Sequence, residues 1–263
     1  MIVGRAVATC YFLEVVATPP YAAAVRRRFP WRPDTPVRRF AILVPIALAM
    51  VAGLGLLIFP ESGLVALGVA LTLFLLAAVA FSWHLRSHHP HDRLGLANVV
   101  TLIRLASISL LLIPLIGGTA DPVAIMAIAG LALSLDGVDG WLARRQKLVS
   151  DFGARFDMEV DAALGLVLSL LAVFLGGVTA LALLIGVPRY VFGLAGLAMP
   201  WLRATLPPQP SRKVVFVIQT MTLIVVQSPW FAGPVGILFV LSAAAALAWS
   251  FGRDIVWLRR HRT

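Results

Sequence analysis

The chain has 263 residues, of which 60% are hydrophobic and only 13% are charged. Soluble domains carry about 25% charged residues, so the composition excludes a soluble globular fold, and the apolar content excludes a disordered chain. The 22 Lys and Arg residues exceed the 12 Asp and Glu residues, for a formal net charge of +10. These values indicate an integral membrane protein with a strongly basic face.

Apolar runs close to the roughly 20 residues that a bilayer-spanning helix requires predict about eight transmembrane helices. The first two, residues 40–58 and 64–83, form a predicted hairpin. The other six are residues 99–116, 123–143, 156–175, 180–201, 214–226 and 235–251. Residues 214–226 are short and would need flanking residues to complete a span. We therefore expect an all-α integral membrane fold.

Outside the predicted spans, basic residues occur only in alternate connections and in the two terminal segments. The connections at residues 60–63, 117–122, 176–179 and 227–234 contain no Lys or Arg, whereas the other connections and both terminal segments contain several. The positive-inside rule places the basic side, with both termini, in the cytoplasm. Topology and attraction to anionic lipid explain this charge, and no basic surface interleaved with aromatic residues suggests a nucleic-acid partner.

Six of the 12 acidic residues lie within residues 136–161, at the cytoplasmic ends of two predicted spans. Carboxylates at membrane depth are costly and point to function. Asp136 and Asp139 share one helix face at i,i+3 spacing, and Asp157 and Asp161 share a face of the next helix at i,i+4 spacing. A short loop joins the two helices, so we expect the four carboxylates to converge. Their oxygen ligands, without nearby Cys or His, favour Mg²⁺ or Mn²⁺.

Two other acidic residues in this stretch are interpreted as structural. Glu159 lies two residues from both Asp157 and Asp161, which turns it to the far side of the helix. We expect it to pair with a basic side chain on a neighbouring helix or subunit. Asp151 precedes the predicted span and is interpreted as its N-cap.

The segment from Asp136 to Asp161 contains a dense motif. It reads D-G-V-D-G-W-L-A-R, followed by eight residues and then by Gly153, Asp157 and Asp161, with three residues in each interval. This matches every specified position of D-x2-D-G-x2-A-R-x8-G-x3-D-x3-D, so the chain resembles the CDP-alcohol phosphotransferase (CDP-alcohol phosphatidyltransferase) family. Upstream, residues 98–104 are similar to the N-x-x-T-x-x-R segment of the family's first core helix.

The resemblance implies a six-helix catalytic core at residues 94–252. The remaining parts are a basic cytoplasmic or interfacial arm (1–39), an extra transmembrane hairpin with a basic loop (40–93) and a basic cytoplasmic tail (253–263). The resemblance also implies that the chain is a transferase of phospholipid biosynthesis in the cell membrane, with its active site facing the cytoplasm. Such an enzyme moves a phosphatidyl group from CDP-diacylglycerol to a small alcohol or phosphorylated polyol and releases CMP. Family members are often dimers, so the resemblance also allows a homodimer.

The resemblance also assigns roles to the acidic residues. Asp136, Asp139, Asp157 and Asp161 are the implied ligands of Mg²⁺ or Mn²⁺, with two ions expected. Asp161 is also the implied general base, which accepts the proton of the attacking hydroxyl group. Two metal ions suit this chemistry because the donor brings a negatively charged diphosphate to a site that is already acidic.

Other motif residues are implied to bind the nucleotide: Gly140, Ala143, Arg144, Gly153, Thr101 and Asn98. The residues alone also allow structural roles. The small side chains could serve helix packing, Asn98 could be a helix cap and Thr101 a first-turn hydroxyl group, and Arg144 could contact lipid headgroups. The candidate ligands of an anionic acceptor are Arg155, Arg189 and Lys213. Of these, Arg189 lies within an apolar span, where a buried charge requires an anionic partner.

Two alternative functions stay open from the sequence. The first is a transferase that uses a soluble CDP-alcohol as donor and a lipid hydroxyl group as acceptor, which the motif does not separate from the main prediction. The second is a non-enzymatic cation channel or transporter that uses the intramembrane carboxylates. It gives no reason for the spacing of Gly140, Ala143, Arg144 and Gly153.

Overall fold

A computed structural model of the protein describes residues 35–88, 91, 93–119, 121–146, 148, 150–203, 209–231 and 233–260. All regular secondary structure in these residues is helical, which confirms the all-α class. Most of the predicted basic arm, residues 1–34, and the end of the predicted tail, residues 261–263, lie outside the described residues. Residues 35–39 and 253–260 continue the adjacent membrane helices instead of forming separate segments.

The described residues form nine α-helices, numbered here in chain order: α1 (Thr35–Ile58), α2 (Gly63–His88), α3 (Leu96–Gly117), α4 (Pro122–Gln146), α5 (Asp151–Phe174), α6 (Leu183–Gly186), α7 (Pro188–Ala198), α8 (Pro210–Val225) and α9 (Pro234–Arg260). Four of them, α4, α7, α8 and α9, begin at a proline. Proline suits the first helical position because its fixed φ is already helical and the missing N–H has no partner there in any case.

Five stretches of the described chain are long and apolar enough to cross a membrane: Pro36–Ile58, Pro60–Arg86, Leu96–Gly117, Pro122–Gln146 and Pro234–Arg260. A bent pair, α6 with α7, adds a sixth if it counts as one span. The protein is therefore an integral membrane protein, although the described helices provide fewer clear spans than the eight predicted. The difference lies in α8, which has only 16 residues, and in α5, which carries four carboxylates in its N-terminal half.

The predicted span at residues 180–201 is a broken helix. It divides into α6 and α7, which meet at an angle of 56°. Pro188 begins α7, and a proline at this point removes an N–H donor and clashes with the preceding turn, so a straight helix cannot continue. Gly186 lies just before the break, where a Cβ atom would approach Oγ of Ser169 in α5 to 2.2 Å. The glycine therefore permits close contact between α6 and α5.

The predicted N-terminal hairpin is present as α1 and α2, which pack against each other and against α3. At the turn of the hairpin, Oγ of Ser62 lies 2.5 Å from Oγ1 of Thr119. Gly117 permits this approach, because a Cβ atom there would lie 2.6 Å from Cβ of Ser62. The hairpin is thus fixed to the end of α3 that has no basic residues.

At its other end, the hairpin joins an aromatic cluster formed by Phe40, Phe81, Phe152 and Phe156. Phe40 and Phe81 come from the hairpin, and Phe152 and Phe156 come from the first two turns of α5. Three of the four rings, those of Phe40, Phe152 and Phe156, are fully buried. The hairpin therefore contacts the acidic helix as well as α3.

The central helix is α3. In its most hydrophobic stretch 67% of the residues are buried, against 22–33% in the other four candidate spans. It contacts α1, α2, α4 and α5, while α4 and α5 also contact each other. Polar side chains on α3 that face α4 and α5 are consequently shielded from lipid, and this is where the predicted site lies.

Candidate active site

Four aspartates converge where α3, α4 and α5 meet. Asp136 and Asp139 extend from α4, and Asp157 and Asp161 extend from α5. Carboxylate oxygens of Asp136, Asp139 and Asp157 all lie within 4.8 Å of one another. The helical spacing explains the arrangement, because each helix presents its two carboxylates on one face.

A single guanidinium group lies among these carboxylates. Arg104 of α3 is fully buried, and its Nη1 lies 2.9 Å from Oδ2 of Asp139 and 2.5 Å from Oδ1 of Asp157. Its Nη2 lies 3.3 Å from Oδ1 of Asp136 and also donates to Oδ1 of Asp161. Arg104 thus pairs with all four aspartates and links α3 to both acidic helices.

Arg104 is the last residue of the N-x-x-T-x-x-R segment, and no role was predicted for it. A signal was available, because Arg104 lies within the predicted span at residues 99–116, and an arginine at membrane depth needs an anionic partner. The same rule drew attention to Arg189. Applied to Arg104, this rule would have predicted an ion pair between the arginine and the acidic cluster.

The charge of the cluster favours a bound cation. Four carboxylates carry a formal charge of −4 and one guanidinium carries +1, which leaves −3 in a largely buried place. Oδ1 of Asp139 is buried and has no hydrogen-bond partner in the described part of the chain. Buried charges need partners, and carboxylate oxygens suit Mg²⁺ or Mn²⁺. The residues present therefore fit a divalent metal ion.

The four carboxylates differ in access. The side chain of Asp139 is 4% exposed and that of Asp136 is 11% exposed, whereas those of Asp161 and Asp157 are 21% and 36% exposed. The α4 carboxylates thus form the inner part of the cluster. The α5 carboxylates form its more exposed part.

Asn98 and Thr101 precede Arg104 on the same face of α3. Oγ1 of Thr101 lies 3.2 Å from Oδ2 of Asp139 and 3.0 Å from the carbonyl oxygen of Ala97. Asn98 is buried and donates to the carbonyl oxygen of Leu94. Thr101 therefore supports one carboxylate of the cluster, whereas Asn98 holds the start of α3.

The small motif residues lie at close contacts. A Cβ atom at Gly153 would lie 3.1 Å from Oδ1 of Asn98, so the glycine lets α5 approach α3. A Cβ atom at Gly140 would lie 3.4 Å from Nη1 of Arg144. Ala143 is half-buried, and Arg144 is exposed near the end of α4. From the sequence, Gly153 could serve either helix packing or nucleotide contact. The close approach to Asn98 supports a role in packing.

The three candidate acceptor ligands differ in their partners. Nη2 of Arg189 lies 3.2 Å from Oε1 of Glu159, which gives both residues a partner. This confirms the expected pairing of Glu159 with a basic side chain on another helix. Arg155 is half-buried on α5 and Lys213 is exposed on α8. In the described part of the chain, no ion pair joins these three cations to the four aspartates.

The start of α5 corrects one prediction. The N-cap is Ser150, not Asp151, because Oγ of Ser150 accepts a hydrogen bond of 3.0 Å from the backbone N–H of Gly153. Asp151 is exposed in the first turn, where its negative charge interacts favourably with the positive end of the helix dipole. The cap fixes the first turn of α5 and hence the direction in which its carboxylates point.

Comparison with known proteins gives one finding. The family model described as CDP-alcohol phosphatidyltransferase matches residues 94–251, more than half of the chain. The matched region includes α3, α4 and α5 with the four aspartates and begins after the hairpin of α1 and α2. No curated protein and no solved structure gives a significant match.

Proposed function

The chain belongs to the CDP-alcohol phosphatidyltransferase family, and from this premise we propose that it transfers a phosphatidyl group from CDP-diacylglycerol to an alcohol with release of CMP. Family membership and the apolar helices make it a membrane transferase. The identity of the donor and the class of acceptor are our proposal. A membrane-embedded site suits a lipid donor, because the acyl chains of CDP-diacylglycerol need never leave the bilayer.

The observation that carries the proposal is the convergence of four carboxylates from α4 and α5 with a formal surplus of three negative charges. Asp136, Asp139 and Asp157, with Asp161 sharing the duty, would hold Mg²⁺ or Mn²⁺, and we propose two ions. When bound, the metal neutralises the diphosphate and stabilises the charge that develops on the attacking and leaving oxygens.

Asp161 is the proposed general base. Its side chain is more exposed than those of the two α4 aspartates, so an incoming hydroxyl group can approach it. The carboxylate takes the hydroxyl proton as the alcohol oxygen forms a bond to the β-phosphorus of the donor. The bond between that phosphorus and the bridging oxygen breaks, and its electron pair leaves with CMP. Positioned proton transfer of this kind contributes about 10²–10⁴-fold to a rate.

The proposed substrate contacts lie on the helices around the cluster. The CDP group would contact a set of six residues: Asn98, Thr101, Gly140, Ala143, Arg144 and Gly153. Exposed Arg144 has the planar donor fork that suits a phosphate. The anionic part of a phosphorylated acceptor would meet Arg155, Arg189 and Lys213, with Arg189 held in place by Glu159. The basic side of the protein, with both termini, is proposed to face the cytoplasm.

The test is CMP release from CDP-diacylglycerol by the purified full-length protein in lipid vesicles, with Mg²⁺ and a panel of alcohols. We expect Asp161→Asn to lower the rate by at least about 100-fold. Asp151→Asn is the matched control, because Asp151 is an exposed carboxylate on the same helix outside the cluster. It should retain the wild-type rate.

Failure of the folded wild-type protein to release CMP from CDP-diacylglycerol with any alcohol would contradict the proposed donor. Release of CMP from a soluble CDP-alcohol in the presence of diacylglycerol would then show that the transfer runs with the opposite choice of donor and acceptor.

A further inference from the structure

We propose that Arg104 is an internal counter-ion that holds the four aspartates together when no divalent ion is bound and yields these contacts when metal enters. The inference rests on the proposed metal site. It concerns how the chain itself manages a concentration of negative charge inside a membrane protein.

The first argument is the position of the guanidinium group. Two nitrogen atoms of one buried side chain contact four carboxylates from two helices, at 2.5, 2.9 and 3.3 Å for Asp157, Asp139 and Asp136, and in direct contact with Asp161. Without this cation, four carboxylates would repel one another in a place of low dielectric constant. Arg104 therefore supplies positive charge that the four carboxylates need whenever no other cation neutralises them.

The second argument is that these contacts compete with metal binding. Mg²⁺ binds oxygen ligands at about 2.1 Å in a near-octahedral arrangement, which places neighbouring ligand oxygens about 3 Å apart. Oxygens of Asp136, Asp139 and Asp157 lie within 4.8 Å of one another, and Arg104 contacts all three of these side chains. A metal ion that binds the oxygens paired with Arg104 competes with the guanidinium group for them, and the guanidinium group repels the ion as a like charge.

One contact of Arg104 does not involve the carboxylates. Its Nε donates to the carbonyl oxygen of Ala132 in α4 at 3.1 Å, independently of the carboxylates. Thr101, one turn earlier on α3, also holds Asp139. The guanidinium group can thus release some carboxylates while its stem stays fixed, and Asp139 does not lose all support.

The competing interpretation is that Arg104 is an ordinary supporting residue for metal ligands. Loss of such a residue typically weakens metal binding by about 10–100-fold. An internal counter-ion that competes with the metal gives the opposite sign, because its removal leaves the carboxylates more available and removes a like charge.

The experiment measures Mn²⁺ affinity and unfolding temperature for the full-length protein in lipid nanodiscs. Free Mn²⁺ is quantified by electron paramagnetic resonance, and unfolding is followed in EDTA and in saturating Mn²⁺. We expect Arg104→Gln to bind Mn²⁺ about tenfold more tightly than the wild type. It should unfold at a lower temperature in EDTA and regain most of that loss in Mn²⁺.

Two further variants make the outcome decisive. Arg104→Lys keeps the charge but lacks the planar fork that bridges several carboxylates, so its affinity should lie between those of the wild type and Arg104→Gln. Arg212→Gln is the matched control, since Arg212 forms a two-contact ion pair with Asp254, at 2.8 and 3.1 Å, away from the cluster. It should lower the unfolding temperature equally in EDTA and in Mn²⁺ and leave Mn²⁺ affinity unchanged.

Equal or weaker Mn²⁺ binding by Arg104→Gln would overturn the inference and leave the proposed metal site in place. If Arg104→Gln does not fold even in Mn²⁺, the same comparison is made with Arg104→Lys. Absence of Mn²⁺ binding by the folded wild type and both variants would instead contradict the metal site itself.

Discussion

Phe81 of the N-terminal hairpin packs against Phe156 of the acidic helix, with the ring centroids 4.3 Å apart. Phe156 immediately precedes Asp157, so this contact connects the hairpin to a proposed metal ligand through one peptide bond. Phe40, also from the hairpin, approaches the same ring edge-on at 6.1 Å. The region matched by the family begins at residue 94, yet residues before it hold the helix on which Asp157 and Asp161 lie.

Replacing Phe81 with alanine should destabilise the protein and lower its activity. The truncation removes a ring that packs at 46° to Phe156 near the start of α5, with an expected cost of about 2–4 kcal/mol in the free energy of unfolding. The check is thermal unfolding in nanodiscs together with the rate of CMP release. Leu76→Ala on the same helix is the control, because this side chain is 61% exposed and should cost little. Equal effects of the two variants would show that the aromatic contact has no special role.

Replacing Thr101 with valine should raise the metal requirement without unfolding the protein. Valine keeps the shape of threonine but loses the hydroxyl group that lies 3.2 Å from Asp139. A lost hydrogen bond of about 1 kcal/mol corresponds to roughly a fivefold higher Mg²⁺ concentration at half-maximal activity. The control is Ser109→Ala, which removes a buried hydroxyl group that donates only to the Leu105 carbonyl oxygen on the same helix. An identical Mg²⁺ dependence in both variants would contradict a supporting role for Thr101.

The acidic pattern was predictable because helix periodicity is a local property. The i,i+3 and i,i+4 spacing of the four aspartates determines which faces they share, and the short connection between α4 and α5 brings those faces together. The ends of the long helices also follow from proline, glycine and the apolar runs. These features depend only on residues that are close in sequence.

The features that were missed, or whose partner was left unnamed as for Glu159, depend on contacts between distant residues or on a choice between neighbours. The pairs of Arg104 with Asp161 and of Arg189 with Glu159 join residues 57 and 30 positions apart, and spacing alone does not select such partners. Ser150 and Asp151 are both suitable N-caps, and only the backbone geometry decides between them. The apolar run at residues 180–201 concealed the break at Pro188 because hydropathy does not register a bend.

Removal of divalent metal should abolish CMP release reversibly. EDTA treatment should bring activity to background, and added Mg²⁺ or Mn²⁺ should restore it, while circular dichroism shows that the helices persist. Asp139→Asn should raise the metal requirement by about 100-fold, because it removes the charge of the carboxylate whose Oδ1 is buried without a partner. Asp254→Asn changes a carboxylate on α9, outside the cluster, and should leave the metal requirement unchanged. Full activity in EDTA would contradict the metal-dependent site.

Replacing Gly153 with alanine separates packing from nucleotide contact. In a helix this change alone gains up to about 1 kcal/mol, but here the new Cβ atom would lie 3.1 Å from Oδ1 of Asn98 and 3.3 Å from Oγ of Ser150. Overpacking of this kind costs about 1–3 kcal/mol, so the net effect should be a lower unfolding temperature. Gly165→Ala is the matched control on the same helix, because in the described part of the chain no atom outside its own helix backbone lies within 4 Å of its Cβ position. It should be neutral or stabilising.

The kinetic constants complete that test. If Gly153 serves helix packing, Gly153→Ala lowers the unfolding temperature in the presence and absence of CDP-diacylglycerol, whereas Gly165→Ala does not. If Gly153→Ala is as stable as Gly165→Ala and only the KM for CDP-diacylglycerol rises, the packing role is wrong and the glycine is needed for the nucleotide. If Gly153→Ala loses both stability and affinity for the donor, the contact between α5 and Asn98 also shapes the nucleotide cleft. The reason is that the new Cβ atom faces Asn98, which is itself a proposed nucleotide contact.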